Sequence, residues 1–169
     1  IEPAKILIVD DSAVVRRSLA KALSADYECF VAASVLEAFD LLKTTEFALV
    51  ITDIIMPGLS GTELLRKVIS TYPQTAVIVV SGVDRPQRAL DAIRLGAFDY
   101  LIKAELTTDK IERCIRYALE RADSLKALIV TIKAVVYEIY VLGAERIERL
   151  MYVHQLVESL KRDAGAARK

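Results

Sequence analysis

The chain is short of the residues that build most catalytic and metal centres. It holds one histidine, His154, and two cysteines, Cys29 and Cys114, in 169 residues. The cysteines are far apart and fit no metal or redox spacing, so they read as ordinary reduced thiols, not as a disulfide framework. An excess of one charge is also missing, since Lys+Arg equals Asp+Glu at 23 each. Divided near residue 122, the chain carries 15 basic against 17 acidic residues, then 8 against 6. Neither part makes an electrostatic case for nucleic acid or an acidic membrane surface. The opening Ile1-Glu2-Pro3-Ala4-Lys5 is no signal peptide. The most apolar later stretch, 127–142, contains Lys133 and Glu138 and reads as too short and too charged to span a bilayer. These absences lead us to expect a soluble, cytoplasmic protein that binds neither nucleic acid nor membrane.

What is present is an apolar fraction of 54%, distributed in short runs. Residues 5–9 (KILIV) end at Asp10-Asp11-Ser12, where Ser12 can cap a helix carrying Val14, Val15, Leu19, Ala22 and Leu23. A strand near 28–33 and a helix from Ser34 to Leu42 follow. The run 47–52 is apolar or β-branched throughout, as in a strand buried on both faces, and it stops at Asp53 before a Met-Pro-Gly turn. A helix over 61–71, a strand over 76–80 closed by Ser81-Gly82, and a helix from Pro86 ending at Gly96 come next. Residues 98–102 form a last strand that ends at Lys103, and a final helix starts near Thr107 or Thr108. Five strands alternating with five helices predict a parallel sheet with helices on both faces, joined by right-handed crossovers.

In such a sheet every strand ends on the same edge. Asp10, Asp11, Asp53, Ser81 and Lys103 should therefore converge in one shallow cleft. Each has an ordinary reading when taken singly: a cap, a turn residue, a solvated charge. Three carboxylates together repel unless a cation joins them, and an all-oxygen set of this charge suits Mg²⁺. A divalent ion beside a carboxylate and an ammonium can neutralise a phosphoryl group in transfer. No Gly-rich phosphate loop is present, which disfavours a nucleotide as the donor.

These pieces resemble the receiver domain of two-component response regulators over residues 4 to about 121. The carriers are I-L-I-V-D-D-S at the start, D-I-I-M-P-G-L-S-G around Asp53, V-I-V-V-S-G ending at Ser81 and Gly82, and L-G-A-F-D-Y-L-I-K ending at Lys103. The resemblance implies a flavodoxin-like five-stranded sheet of order 2-1-3-4-5. It implies Asp53 as phosphoacceptor from a phosphohistidine on a sensor histidine kinase or phosphotransfer protein. It further implies that Asp11, Asp53 and the Ile55 carbonyl bind Mg²⁺ directly, with Asp10 acting through water or hydrogen bonds. Lys103 would pair with Asp53, and Ser81 and Tyr100 would form the switch that responds to the phosphoryl group. One position departs from the pattern: Ala104 stands where receivers usually have a cis proline. A cis Lys-Ala bond would cost about 3–4 kcal/mol, so a trans bond is expected. The enzymatic content would be limited to Mg²⁺-dependent self-phosphorylation and autodephosphorylation.

The division expected is a receiver over 1–122 and a helical extension over 123–169. Ile111, Ala118, Leu125, Ile132 and Ile139 mark one heptad position, and Cys114, Arg121, Leu128, Val135 and Leu142 mark its companion. The apolar frame breaks at Gly143, and Leu150, Val153, Val157 and Leu160 resume with a shift. One long helix and a hairpin near Gly143 both fit, and the β-branched content admits a strand pair. Ile129, Val130, Val136 and Val141 lie off the seam, so more than one face must be buried, as a two-chain, four-helix bundle would do. The alternative function is a phosphorelay protein whose extension has histidine phosphotransfer or phosphatase activity through His154. The sequence around that histidine, V-H-Q-L-V-E-S-L, matches no kinase or phosphotransfer box.

Overall fold

The computed structural model describes residues 2–82 and 85–166, with side chains to Ser159. The elements are β1 (Lys5–Val9), α1 (Ala13–Leu23), β2 (Glu28–Ala32), α2 (Val35–Thr44), β3 (Leu49–Thr52) and α3 (Gly61–Thr71), then β4 (Ala76–Ser81), α4 (Pro86–Arg94), β5 (Asp99–Ile102) and α5 (Thr108–Ala166). The strands form one parallel sheet of order β2-β1-β3-β4-β5. This is the flavodoxin-like arrangement, with the order reversing between β1 and β3. Ligands of open α/β sheets bind at such a reversal, beyond the strands' C-terminal ends.

Alternation along the buried strands decides which helices cover which face. Leu7, Val9, Val50, Val77 and Val79 point to one side and pack with Val35, Ala38 and Leu42 of α2, Leu64, Leu65 and Val68 of α3, and Ala92 of α4. Ile6, Ile8, Leu49, Ile51, Ile78 and Val80 point to the other and meet Leu19 and Leu23 of α1 and Ile111, Cys114, Ile115 and Ala118 of α5. Both faces of the central strands are thus dry, which explains their unbroken apolar runs.

Local signals set the helix ends. Ser12 and Ser34 cap α1 and α2 by accepting from Val15 N and Glu37 N at 3.5 and 3.2 Å. Glu63 Oε2 accepts from Ser60 N at 2.6 Å and holds the start of α3. Gly96, at φ 109°, ends α4 in a conformation that a side chain would strain. No cis peptide occurs among the described residues. After β5 the chain makes a 3₁₀ turn, Lys103–Glu105, a feature that propensity did not announce.

The chain divides into two compact units, 1–126 and 127–169. In the second, the backbone is helical through Gly143 to Ala166, and neither a hairpin nor a strand pair forms there. Its apolar side chains are bare: Leu128 is 54% exposed, Ile132 52%, Ile139 65% and Leu142 64%. Leu160, one of the seam positions, has its side chain outside the described residues. An 18-residue window of this helix has a mean hydropathy of 1.8 and none of it is buried. By length and composition alone the helix is long and apolar enough to cross a membrane, although Lys133 and Glu138 lie within its most apolar stretch.

Candidate functional site

The register aligns the strand ends. Val9 pairs with Thr52, Thr52 with Val79, and Ser81 with Ile102, so the residues that follow share one edge. Asp10 is 2% exposed and Asp53 7%, while Asp11 is exposed at the mouth. Carboxylate oxygens of all three lie within 4.8 Å of one another. Like charges at that spacing are held by cations. Lys103 Nζ supplies one, 2.6 Å from Asp10 Oδ2 and 2.7 Å from Asp53 Oδ2.

Burial alone would lower the Lys103 pKa, but its hydrogen bonds to Asp10 and Asp53 and their charges outweigh that, and the pKa lies above lysine's ordinary value. The ammonium is therefore charged at neutral pH. Although Ala104 replaces proline, Lys103 still reaches both acids.

The loops hold the acids from behind. Asp53 N donates to Val9 O at 3.0 Å, extending the β1–β3 ladder by one bond beyond the strands. Asp53 Oδ1 accepts from Ile55 N at 3.1 Å, and Thr52 Oγ1 donates to Asp53 O at 2.9 Å. Gly61 completes the fit, because a Cβ there would stand 1.8 Å from the Asp53 carbonyl oxygen. Asp10 Oδ1 accepts from Ser12 N at 2.8 Å. Arg16, on the first turns of α1, donates from Nη1 to Asp10 O at 2.7 Å and to Asp11 O at 3.0 Å. Neither Gly61 nor Arg16 stood out as a site residue in the sequence. An arginine that bonds main-chain carbonyls leaves no side-chain pattern to read.

Ser81 is fully buried at the end of β4, and Tyr100 is half-buried on β5. His154 is exposed on α5, in the second unit. Cys114 is buried and donates to Asp99 Oδ2 at 3.4 Å; burial first, and then the Asp99 charge, push its thiol up to about 12. It is no nucleophile at neutral pH.

The donor set fits a hard divalent cation: three carboxylates within reach, one face open to solvent, no nitrogen or sulfur ligand among them. Fold and edge together define an open α/β protein with an acidic, lysine-bridged cleft at its topological switch point. Residues 6–116 match the family model of the response regulator receiver domain. The response regulator protein FleR of Pseudomonas aeruginosa is 35% identical over 117 residues, covering 69% of this chain and 25% of that protein. A protein-glutamate methylesterase/protein-glutamine glutaminase of Azospirillum brasilense is 33% identical over 75% of this chain and 33% of its own length. Among solved structures, a response regulator receiver domain protein from Clostridium thermocellum shares 33% identity with a TM-score of 0.67, covering 72% of this chain and 98% of that one. The chain belongs to the response regulator receiver domain family, the phosphoacceptor modules of two-component signalling. It spans only a quarter to a third of the length of the two curated relatives named.

Proposed function

We propose that Asp53 accepts a phosphoryl group from a phosphohistidine on a sensor histidine kinase or phosphotransfer protein, in the cytoplasm, and that residues 1–122 act as the receiver for an output carried by 123–169. The observation that carries this reading is the lysine bridge from Asp10 to Asp53 inside a three-carboxylate cluster. A carboxylate oxygen of Asp53 bonds to phosphorus as the donor's P–N bond breaks. Asp10, Asp11, Asp53 and the Ile55 carbonyl would hold Mg²⁺. The ion supplies charge neutralisation for the carboxylates and the phosphoryl oxygens. Lys103 then pairs with the new phosphoryl oxygens. Ser81 donates its hydroxyl to them and Tyr100 turns inward, which biases the surface of α4, β5 and α5.

For the second unit we propose pairing with a second copy of the chain. On the heptad of Leu125, Leu128, Ile132, Val135, Ile139 and Leu142, the charged Lys126, Lys133 and Glu138 all fall off the seam. With one continuous helix per chain the pair is a two-stranded coiled coil and not a four-helix bundle, and in it those charges stay in water. Across a bilayer Lys133 would cost about 2.5–3.5 kcal/mol near the centre.

The direct test is phosphorylation by a small-molecule phosphodonor with Mg²⁺. Wild type should take up an acid-stable, base-labile label, and Asp53→Asn should take up none. Label retained in the variant would refute the assignment.

A further inference from the structure

We propose that Arg16 is a positioning residue for the metal cleft, a role that rests on the reading of Asp10, Asp11 and Asp53 as the Mg²⁺ site. Three consecutive carbonyls of the β1–α1 turn accept hydrogen bonds from this single residue. Arg16 Nη1 donates to Asp10 O at 2.7 Å and Asp11 O at 3.0 Å, and its main-chain N–H donates to Ser12 O at 3.1 Å. Asp10 N still belongs to the sheet, donating to Ala32 O at 3.2 Å, but among the described residues no main-chain N–H donates to the Asp10 or Asp11 carbonyl. The guanidinium does so instead. Fixing both carbonyls fixes the peptide planes on either side of Asp11, and those planes aim its carboxylate.

Asp11 needs this help more than its neighbours. Asp10 is buried, tied to Ser12 N and to Lys103; Asp53 is buried, tied to Ile55 N and to Lys103. Asp11 is exposed, and its backbone is its restraint. Partners that orient metal ligands from behind typically change metal affinity about 10–100-fold.

The sign of the effect separates clamping from simple charge. Arg16 is a cation close to a cation site, so by Coulomb's law alone its removal would tighten Mg²⁺ binding. As a clamp, its removal lets Asp11 turn to solvent and weakens binding. The experiment titrates the full chain with Mg²⁺ alone by calorimetry, in wild type, Arg16→Ala and Arg16→Lys. It also records phosphorylation rate against Mg²⁺ concentration.

Arg16→Ala should weaken binding about 10-fold and raise half-saturation by the same factor, with the maximal rate recovered at saturating Mg²⁺. Arg16→Lys, which keeps the charge and a donor on a stem one atom shorter, should fall between. Affinity equal to or tighter than wild type in Arg16→Ala would overturn the proposal, as would a lost maximal rate at unchanged half-saturation. If circular dichroism shows Arg16→Ala unfolded, Arg16→Met, which keeps the packing stem, takes its place under the same criteria. A wild-type chain that neither binds Mg²⁺ nor takes up phosphate would instead refute the underlying site reading. Wild-type binding matched by the Ala or Met variant refutes the clamp alone.

Discussion

Asp10 and Asp53 share the Lys103 bridge, but the turns behind them differ, and the one behind Asp53 depends on Gly61. Gly61 has no side chain because the Asp53 carbonyl occupies the place where a Cβ would be, 1.8 Å away. Gly61→Ala must push the β3–α3 loop off the sheet edge, and overpacking of this kind costs about 1–3 kcal/mol. We expect a lower urea midpoint and a slower uptake of phosphate, measured on one preparation. A midpoint within error of wild type would mean the loop yields freely. Away from the cleft, Cys114 answers to pH. Burial and the Asp99 charge push its thiol up to about 12, from a thiol's ordinary value of about 9. The unfolded chain therefore loses this proton at lower pH than the native one, and stability falls as pH rises from about 9 towards 12. Unfolding followed across that window should show a shallower alkaline loss in Cys114→Ala than in wild type. Native Cys114 should also resist iodoacetamide at pH 8, read by mass spectrometry, and rapid alkylation would contradict its burial.

At the scale of elements, α5 is one helix with two environments. Ile115 is fully buried against the sheet, whereas Ile139 is 65% exposed. Truncating the first should cost about 2–5 kcal/mol. Truncating the second should change the folding of a single chain by no more than about 0.5 kcal/mol. Paired urea titrations of Ile115→Ala and Ile139→Ala at low protein concentration test the contrast; equal losses would mean that the exposed stripe is covered within one chain. This is also where sequence reading reached its limit. The strands were legible because runs such as Ala76–Val80 are buried on both faces, and the helix starts because Ser12, Ser34 and Pro86 carry capping chemistry. The cleft followed, since Asp10 and Asp53 each end such a run and Lys103 ends the half-buried edge strand β5. Three features were not legible. Continuity through Gly143 depends on a balance of about 1 kcal/mol between glycine and alanine in a helix, too small to separate a helix from a hairpin. The 3₁₀ turn at Lys103–Glu105 and the Arg16 clamp are set by main-chain partners remote from any side-chain pattern.

At the scale of the whole molecule, a lysine-bridged acidic cleft and a bare apolar helix lie on one chain, and the second is expensive to leave in water. Apolar surface is worth about 25 cal/mol per Å² when covered, and Leu128, Ile132, Val135, Ile139 and Leu142 are each about half exposed or more. A second copy, as proposed, would cover them by the heptad while leaving Lys133 and Glu138 solvated. We therefore expect a dimer by light scattering without added lipid or detergent. Ile132→Asp with Ile139→Asp would put four like charges into the seam, and should give monomers that still accept phosphate at Asp53 with the wild-type rate. A monomer in the unaltered chain would remove the pairing proposal, and recovery of the chain only with lipid vesicles would favour the membrane instead. If the receiver controls the pair, beryllofluoride with Mg²⁺ should shift the monomer–dimer midpoint in wild type and leave it unchanged in Asp53→Ala. The size of that shift is the coupling free energy between cleft and seam, and typical couplings of 1–3 kcal/mol correspond to about 5–150-fold in the dissociation constant. A midpoint that ignores beryllofluoride while Asp53 still takes up phosphate would make the helix a constitutive scaffold, with any signal leaving through the α4–β5–α5 surface.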